Sequence, residues 1–226
     1  MQPRMLLLET SHRVGQVALA HGERIVGRRT LDEARRHARD LAPAIDALLK
    51  EQGWRAKELD AVAVSRGPGS YTGLRVGAMS AKTLAYATGC KLLAIDTFAV
   101  ILTQLPETIR SADVISDAQQ GKIYVQRFSR DGAHEPLAIR PFVEWRAELP
   151  EDQPVTGPGL EVFAGQLAGH AALLPSEHWL PRPEGLLQLA LQRCVRGEND
   201  DPFVVEPLYL RPSSAEENWR SRKSQV

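Results

Sequence analysis

Apolar residues near the start of the chain fall into three short runs: MLLLETS at 5–11, VGQVALA at 14–20 and RIVGRRTL at 24–31. The last two are joined through His21, Gly22 and Glu23, so they predict strands in an antiparallel meander. The period then changes. Between Asp32 and Gln52 the residues Leu41, Ile45, Leu48 and Leu49 recur at helical spacing, and Gly53 supplies a stop. LDAVAVSRG at 59–67 reads as a buried strand; after it come a glycine loop, a helix from Leu74 to Thr88, the strand KLLAID and a helix from Thr97 to Leu105. The second half repeats this order more loosely. ADVISDA, GKIYVQRFS and LAIRPFV predict three strands, a weaker helical stretch follows, and QPVTGPGLEVFAGQLAG reads as strand, loop and helix.

Gly67-Pro68-Gly69 after one strand therefore has a counterpart in Gly157-Pro158-Gly159 after another. Equivalent places in two similar element orders point to duplication, hence to an α/β chain of two lobes facing a cleft. Pro106 interrupts the helical pattern near the join, which divides the chain into an N-terminal lobe at 1–106 and a C-terminal lobe with its tail at 107–226.

Composition narrows the classes without choosing among them. The 226 residues are 43% hydrophobic and 25% charged, as in an ordinary globular protein. A formal net charge of zero argues against a chain that grips a nucleic-acid backbone by itself, because such affinity comes from clustered Lys and Arg. Two distant cysteines, Cys90 and Cys194, form neither a CxxC pair nor a disulfide framework. With no signal-like start and no run approaching a membrane span, the expectation is a reduced, cytoplasmic protein without a membrane partner.

The glycine loop, Gly67, Gly69, Ser70, Thr72, Gly73 and Arg75, matches neither common nucleotide loop. A P-loop needs GxxxxGK[ST], and the dinucleotide turn needs GxGxxG where this chain has GxGxxxG. Backbone N–H groups at a strand-to-helix turn nevertheless suit an anion, while Ser70 and Thr72 suit a helix cap and Arg75 either an anion or solvent. Beyond the loop, Gly73, Gly77, Ala81 and Ala85 recur every four residues and form a smooth ridge. Two glycines inside a helix each cost about 1 kcal/mol relative to alanine, so close packing must offset them. The spacing fits packing on this chain's own sheet and packing on another subunit equally.

Catalytic constellations are sparse. Six histidines include no HxxxH or HExxH pair, so no metal site is expected. GPGSYTG lacks the GxSxG nucleophile elbow. Glu9 and Asp117, at strand ends in the two halves, are a weak candidate carboxylate pair.

SRGPGSYTGLRVG at 65–77 resembles the signature of the TsaB/YeaZ family, and LLLETS, HARDLAP, SDAQQGKIYVQRF, VTGPG and PLYLRPSSAE resemble further segments of that family in order. The resemblance implies the actin-like fold of sugar kinases and Hsp70, with two duplicated α/β lobes. It implies a non-catalytic accessory subunit that docks a TsaD-type catalytic subunit, joined by a TsaE-type ATPase. That complex places threonylcarbamoyl on adenosine 37 of ANN-decoding tRNAs, so tRNA is met only through the complex. The implied interface uses the first helix and the helix after the glycine loop, which assigns His37, Leu41, Leu74, Gly77, Ala78, Ala81 and Ala85 to a partner contact and tips the ridge toward a subunit. No cofactor is implied for the chain alone, although ADP or ATP fits the junction with the partner, and a self-complementary ridge suggests a homodimer of the free protein. Glu9 in place of an Asp, and Gln119 and Gln120 where the family carries an arginine, are departures. The reading from another class is an independent actin-like ATPase or small-molecule kinase that uses the interlobe cleft.

Overall fold

A computed structural model describes residues 2–31, 37–130, 135–208 and 210; the side chains of His37 and Ala38 lie outside that description. The first sheet has the order β3-β2-β1-β4-β5, formed by β1 (Arg4–Glu9), β2 (Gln16–His21), β3 (Arg24–Thr30), β4 (Ala61–Gly67) and β5 (Lys91–Asp96). β1, β2 and β3 form the expected antiparallel meander, and β4 and β5 run parallel to β1. Parallel neighbours need crossovers, and these are α1 (His37–Glu51) and α2 (Tyr71–Thr88).

Side chains alternate across a strand, so β1 serves both faces of the sheet. Leu6 and Leu8 pack with Leu41, Ile45 and Leu48 of α1 and Ala81 and Ala85 of α2. Met5 and Leu7 pack on the opposite side with Leu186, Leu187 and Ala190. Those three belong to α6 (Pro183–Val195), a helix absent from the expected order. Its signal is in the sequence: Pro183 stands in the first turn, where its missing N–H has no helical partner to lose.

The second sheet, order β10-β9-β6-β7-β8, comprises β6 (Ser111–Asp117), β7 (Lys122–Ser129), β8 (Ala138–Pro141), β9 (Pro154–Thr156) and β10 (Ala172–Leu173). Read outward from β6, it repeats the first sheet: two antiparallel neighbours on one side and two parallel ones on the other. This is the two-lobe actin-like α/β fold. Here α4 (Phe142–Glu148) takes Phe142 and Val143, which the apolar run had assigned to a strand. α4 and α5 (Leu160–Leu167) cover one face through Phe142, Trp145 and Phe163. The other face meets Phe98 and Ile101 of α3 (Thr97–Leu102), so a helix that follows the first sheet becomes the joint between the lobes.

Packing departs from a simple division at residue 106 at the C-terminal end, because α6 and the segment after it return to the first lobe. There Asp200 accepts the Ala94 N–H at 2.7 Å, Asn199 accepts the Leu92 N–H at 2.8 Å, and Arg193 holds Asp200 through two nitrogens. Side chains thus occupy the open edge of β5, where a bare strand invites unwanted pairing.

Candidate functional site

Helix α2 begins at Tyr71, three residues before the expected Leu74, because Ser70 caps it by accepting the Gly73 N–H at 3.3 Å. Directly behind the cap lies the loop that leaves β1. The Ser70 N–H donates to the Ser11 carbonyl at 2.6 Å. A Cβ on Gly69 would collide with the Ser11 carbonyl oxygen, one on Gly73 with the Thr10 carbonyl oxygen, and one on Gly77 with the Thr10 hydroxyl. The glycines therefore let α2 lie against residues 10 and 11, and the space behind the loop is filled by the chain itself. Gly67 has φ +122°, a conformation that side chains rarely adopt, and it also receives Leu208, whose N–H donates to the Arg66 carbonyl at 2.7 Å.

This geometry corrects the expected partner surface. Leu74, Gly77, Ala78, Ala81 and Ala85 are buried on this chain's own sheet, as is Leu41 of α1. The ridge is an internal contact, the reading that spacing alone had left level with a subunit interface. His37 opens α1, and its side chain lies outside the described residues. Thr72 and Arg75 are exposed, and the Arg75 guanidinium stacks on the Tyr71 ring at 4.2 Å.

What α2 turns outward is an apolar stripe absent from the expected site. Met79 is 64% exposed and Tyr86 72%. Phe203, 76% exposed, meets Tyr86 edge to face at 5.6 Å, and Val204 beside it is also open. Lys82 anchors this C-terminal segment by donating to the Val205 carbonyl at 2.9 Å. The signal was available: Tyr71, Met79 and Tyr86 share the helical face opposite the glycines and alanines.

Glu9 is withdrawn from any cleft. It is 1% exposed and accepts from the Ser11 N–H at 2.9 Å, from the Ser11 hydroxyl and from the Ser65 hydroxyl. Burial pushes its carboxyl above the ordinary value of 4.5, against the lowering effect of those hydrogen bonds. Asp117 spends its carboxylate on the N–H and side-chain amide of Gln119, at 2.8 and 2.7 Å. The two acids do not form a working pair. Gln119 and Gln120, with φ of 63° and 56°, make the turn after β6 together with Gly121. The second glycine turn repeats the first in its lobe: a Cβ on Gly157 would strike the Ile115 backbone, and the Gly159 N–H donates to the Ile115 carbonyl at 2.9 Å. Burial raises both thiols, Cys90 and Cys194, which keeps them protonated and poorly nucleophilic. Among the described residues no group of three His, Cys, Asp or Glu side chains converges as metal ligands, and no helix is long and apolar enough to cross a membrane.

Comparison with known proteins follows the same lines. The family model described as "TsaD: tRNA N6-adenosine threonylcarbamoyltransferase" matches residues 29–161, more than half of the chain. The tRNA threonylcarbamoyladenosine biosynthesis protein TsaB of Haemophilus influenzae is 26% identical over 92% of this chain and 93% of its own. The solved structure of YeaZ from Pseudomonas aeruginosa superposes with a TM-score of 0.74 at 27% identity, covering 92% of this chain and all of that one. The chain belongs to this family, on its TsaB/YeaZ branch. An uncharacterized protein of Mycobacterium bovis is 33% identical over 84% of this chain and 82% of its own. The TsaB/YeaZ assignment and the topology agree, since both require a duplicated actin-like chain.

Two outcomes follow from the packing behind the glycine loop. Gly77→Ala should lower the unfolding free energy by about 1–3 kcal/mol in urea titrations, since its methyl group meets Thr10. A buried carboxyl with a raised pKa stabilises the fold fully below 4.5, and that contribution is lost as pH rises through the folded-state value. Urea midpoints measured from acidic to neutral pH should therefore show Glu9→Gln gaining on the wild type as pH rises, with the two variants diverging from pH 4.5 upward.

Proposed function

We propose that this chain serves threonylcarbamoyladenosine synthesis on tRNA as an accessory subunit, with no chemistry of its own, and docks a TsaD-type catalytic subunit. The observation that carries the reading is the outward face of α2. Its inner face is used up against β1 and β4, yet Met79 and Tyr86 remain open and continue onto Phe203. An exposed row of Met and aromatic side chains has the composition of an interface core rather than of a solvated face. The shared name of the TsaB relatives supports the pathway, and the sealed Glu9 supports a role without a reacting carboxylate.

Within this reading tRNA is reached through the assembled complex, a TsaE-type ATPase joins it, and ADP or ATP is held at the junction of subunits. The free chain pairs with a second copy through the same stripe at micromolar concentration, so its sedimentation should depend on concentration. The deciding experiment combines this chain with its organism's TsaD-type subunit and assays tRNA modification by each alone and by both. Activity is expected only in the mixture. Modification or ATP turnover by this chain alone would replace the proposal with the kinase-like one. Met79→Glu and Tyr86→Glu should each weaken the pairing tenfold or more, about 1.4 kcal/mol. Their urea midpoints should correspond to changes within about 0.5 kcal/mol, because both side chains are on the surface.

A further inference from the structure

The two lobes meet at a second place besides the α3 joint. His12 lies in the loop that leaves β1, and Glu161 lies in the first turn of α5, just after the second glycine turn. The His12 Nε2 stands 3.0 Å from the Glu161 carboxylate, with a sequence separation of 149 residues between them. The His12 side chain is only 12% exposed, while Glu161 is 38% exposed. The Val14 N–H approaches the other ring nitrogen, Nδ1, at 3.4 Å. With Nδ1 as acceptor the ring proton sits on Nε2, where it points at Glu161. The loop that carries His12 is the one that Gly69 and Ser70 rest on, and the turn before Glu161 rests on Ile115. Each partner is thus fixed to its own lobe, and the contact bridges from one rigid lobe to the other.

We infer that His12 and Glu161 form a clasp between the two lobes, which holds them closed about the α3 joint. α3 supplies the pivot, because Phe98 and Ile101 pack on Val114 of the second sheet while the helix continues directly from β5 of the first. The clasp ties the loop behind the first glycine turn to the helix that follows the second.

The test is a distance measurement between lobes in the full chain. Cys90 and Cys194 are replaced by serine, and spin labels are placed at the exposed positions Lys57 and Glu144, one in each lobe. Pulsed electron paramagnetic resonance should show the longer-distance population rising about two- to fivefold in His12→Ala and in Glu161→Ala, the range of a partly exposed pair. The double variant should be no more open than either single one, because the two side chains act through one another. Glu161 is a surface position whose truncation leaves the fold intact, so the result is readable even if His12→Ala disturbs its loop. An unchanged distribution in Glu161→Ala, or additive opening in the double variant, would overturn the clasp.

Discussion

Helix α2 approaches the end of β1 more closely than any side chain permits, and the rest of the first lobe is arranged around that contact. Gly69, Gly73 and Gly77 present bare backbone to Thr10 and Ser11. The helix gives up about 1 kcal/mol for each interior glycine, an expense offset by the close approach to the Thr10 carbonyl at Gly73 and to the Thr10 hydroxyl at Gly77. Ser11 then serves both sides. Its carbonyl accepts from Ser70 at the head of α2, while its N–H and hydroxyl bind Glu9. A larger residue on the ridge would displace the loop, the helix cap and the seat of the buried carboxylate together.

That single contact also commits two N–H groups of the turn between β4 and α2. Where the turn between a strand and a helix stands open, its N–H groups are free to hold an anion. In this chain the Ser70 N–H is already committed to Ser11, and the Gly73 N–H to the Ser70 hydroxyl. Glu9 is turned inward to Ser11 and Ser65 in the same way. The glycines of this loop serve its own packing. The second lobe does the same with different residues, since Gly157 and Gly159 rest on Ile115.

Much of this was legible in the order of apolar runs. The meander, the two strands after it and the repetition of the glycine tripeptide are local patterns, and each survives in the structure. What failed to show were features that depend on the return of the chain. α6 covers a sheet completed almost ninety residues earlier, and Asn199 and Asp200 protect an edge strand whose exposure depends on the whole sheet order. The strand assigned over Phe142 and Val143 became a helix because Phe142 and Trp145, three residues apart, turn the same way into the second core. An apolar run that short has no period of its own to contradict either assignment.

The ridge is the instructive case, because its physics was read correctly and its neighbour was not. A row of glycine and alanine at every fourth position states that something approaches the helix closely; it carries no mark of whether that something is covalently continuous with the helix. The opposite face carries the mark. A helix whose small residues meet a foreign subunit must bury its large apolar residues on its own sheet, whereas one whose small residues meet its own sheet has its large residues left over. In α2 the large residues left over are Tyr71, Met79 and Tyr86, with Phe203 extending the row, and the buried ones are glycine, alanine and Leu74. The distribution of large side chains between the two faces therefore decides the direction, and it sets the ridge on the sheet and turns the stripe outward.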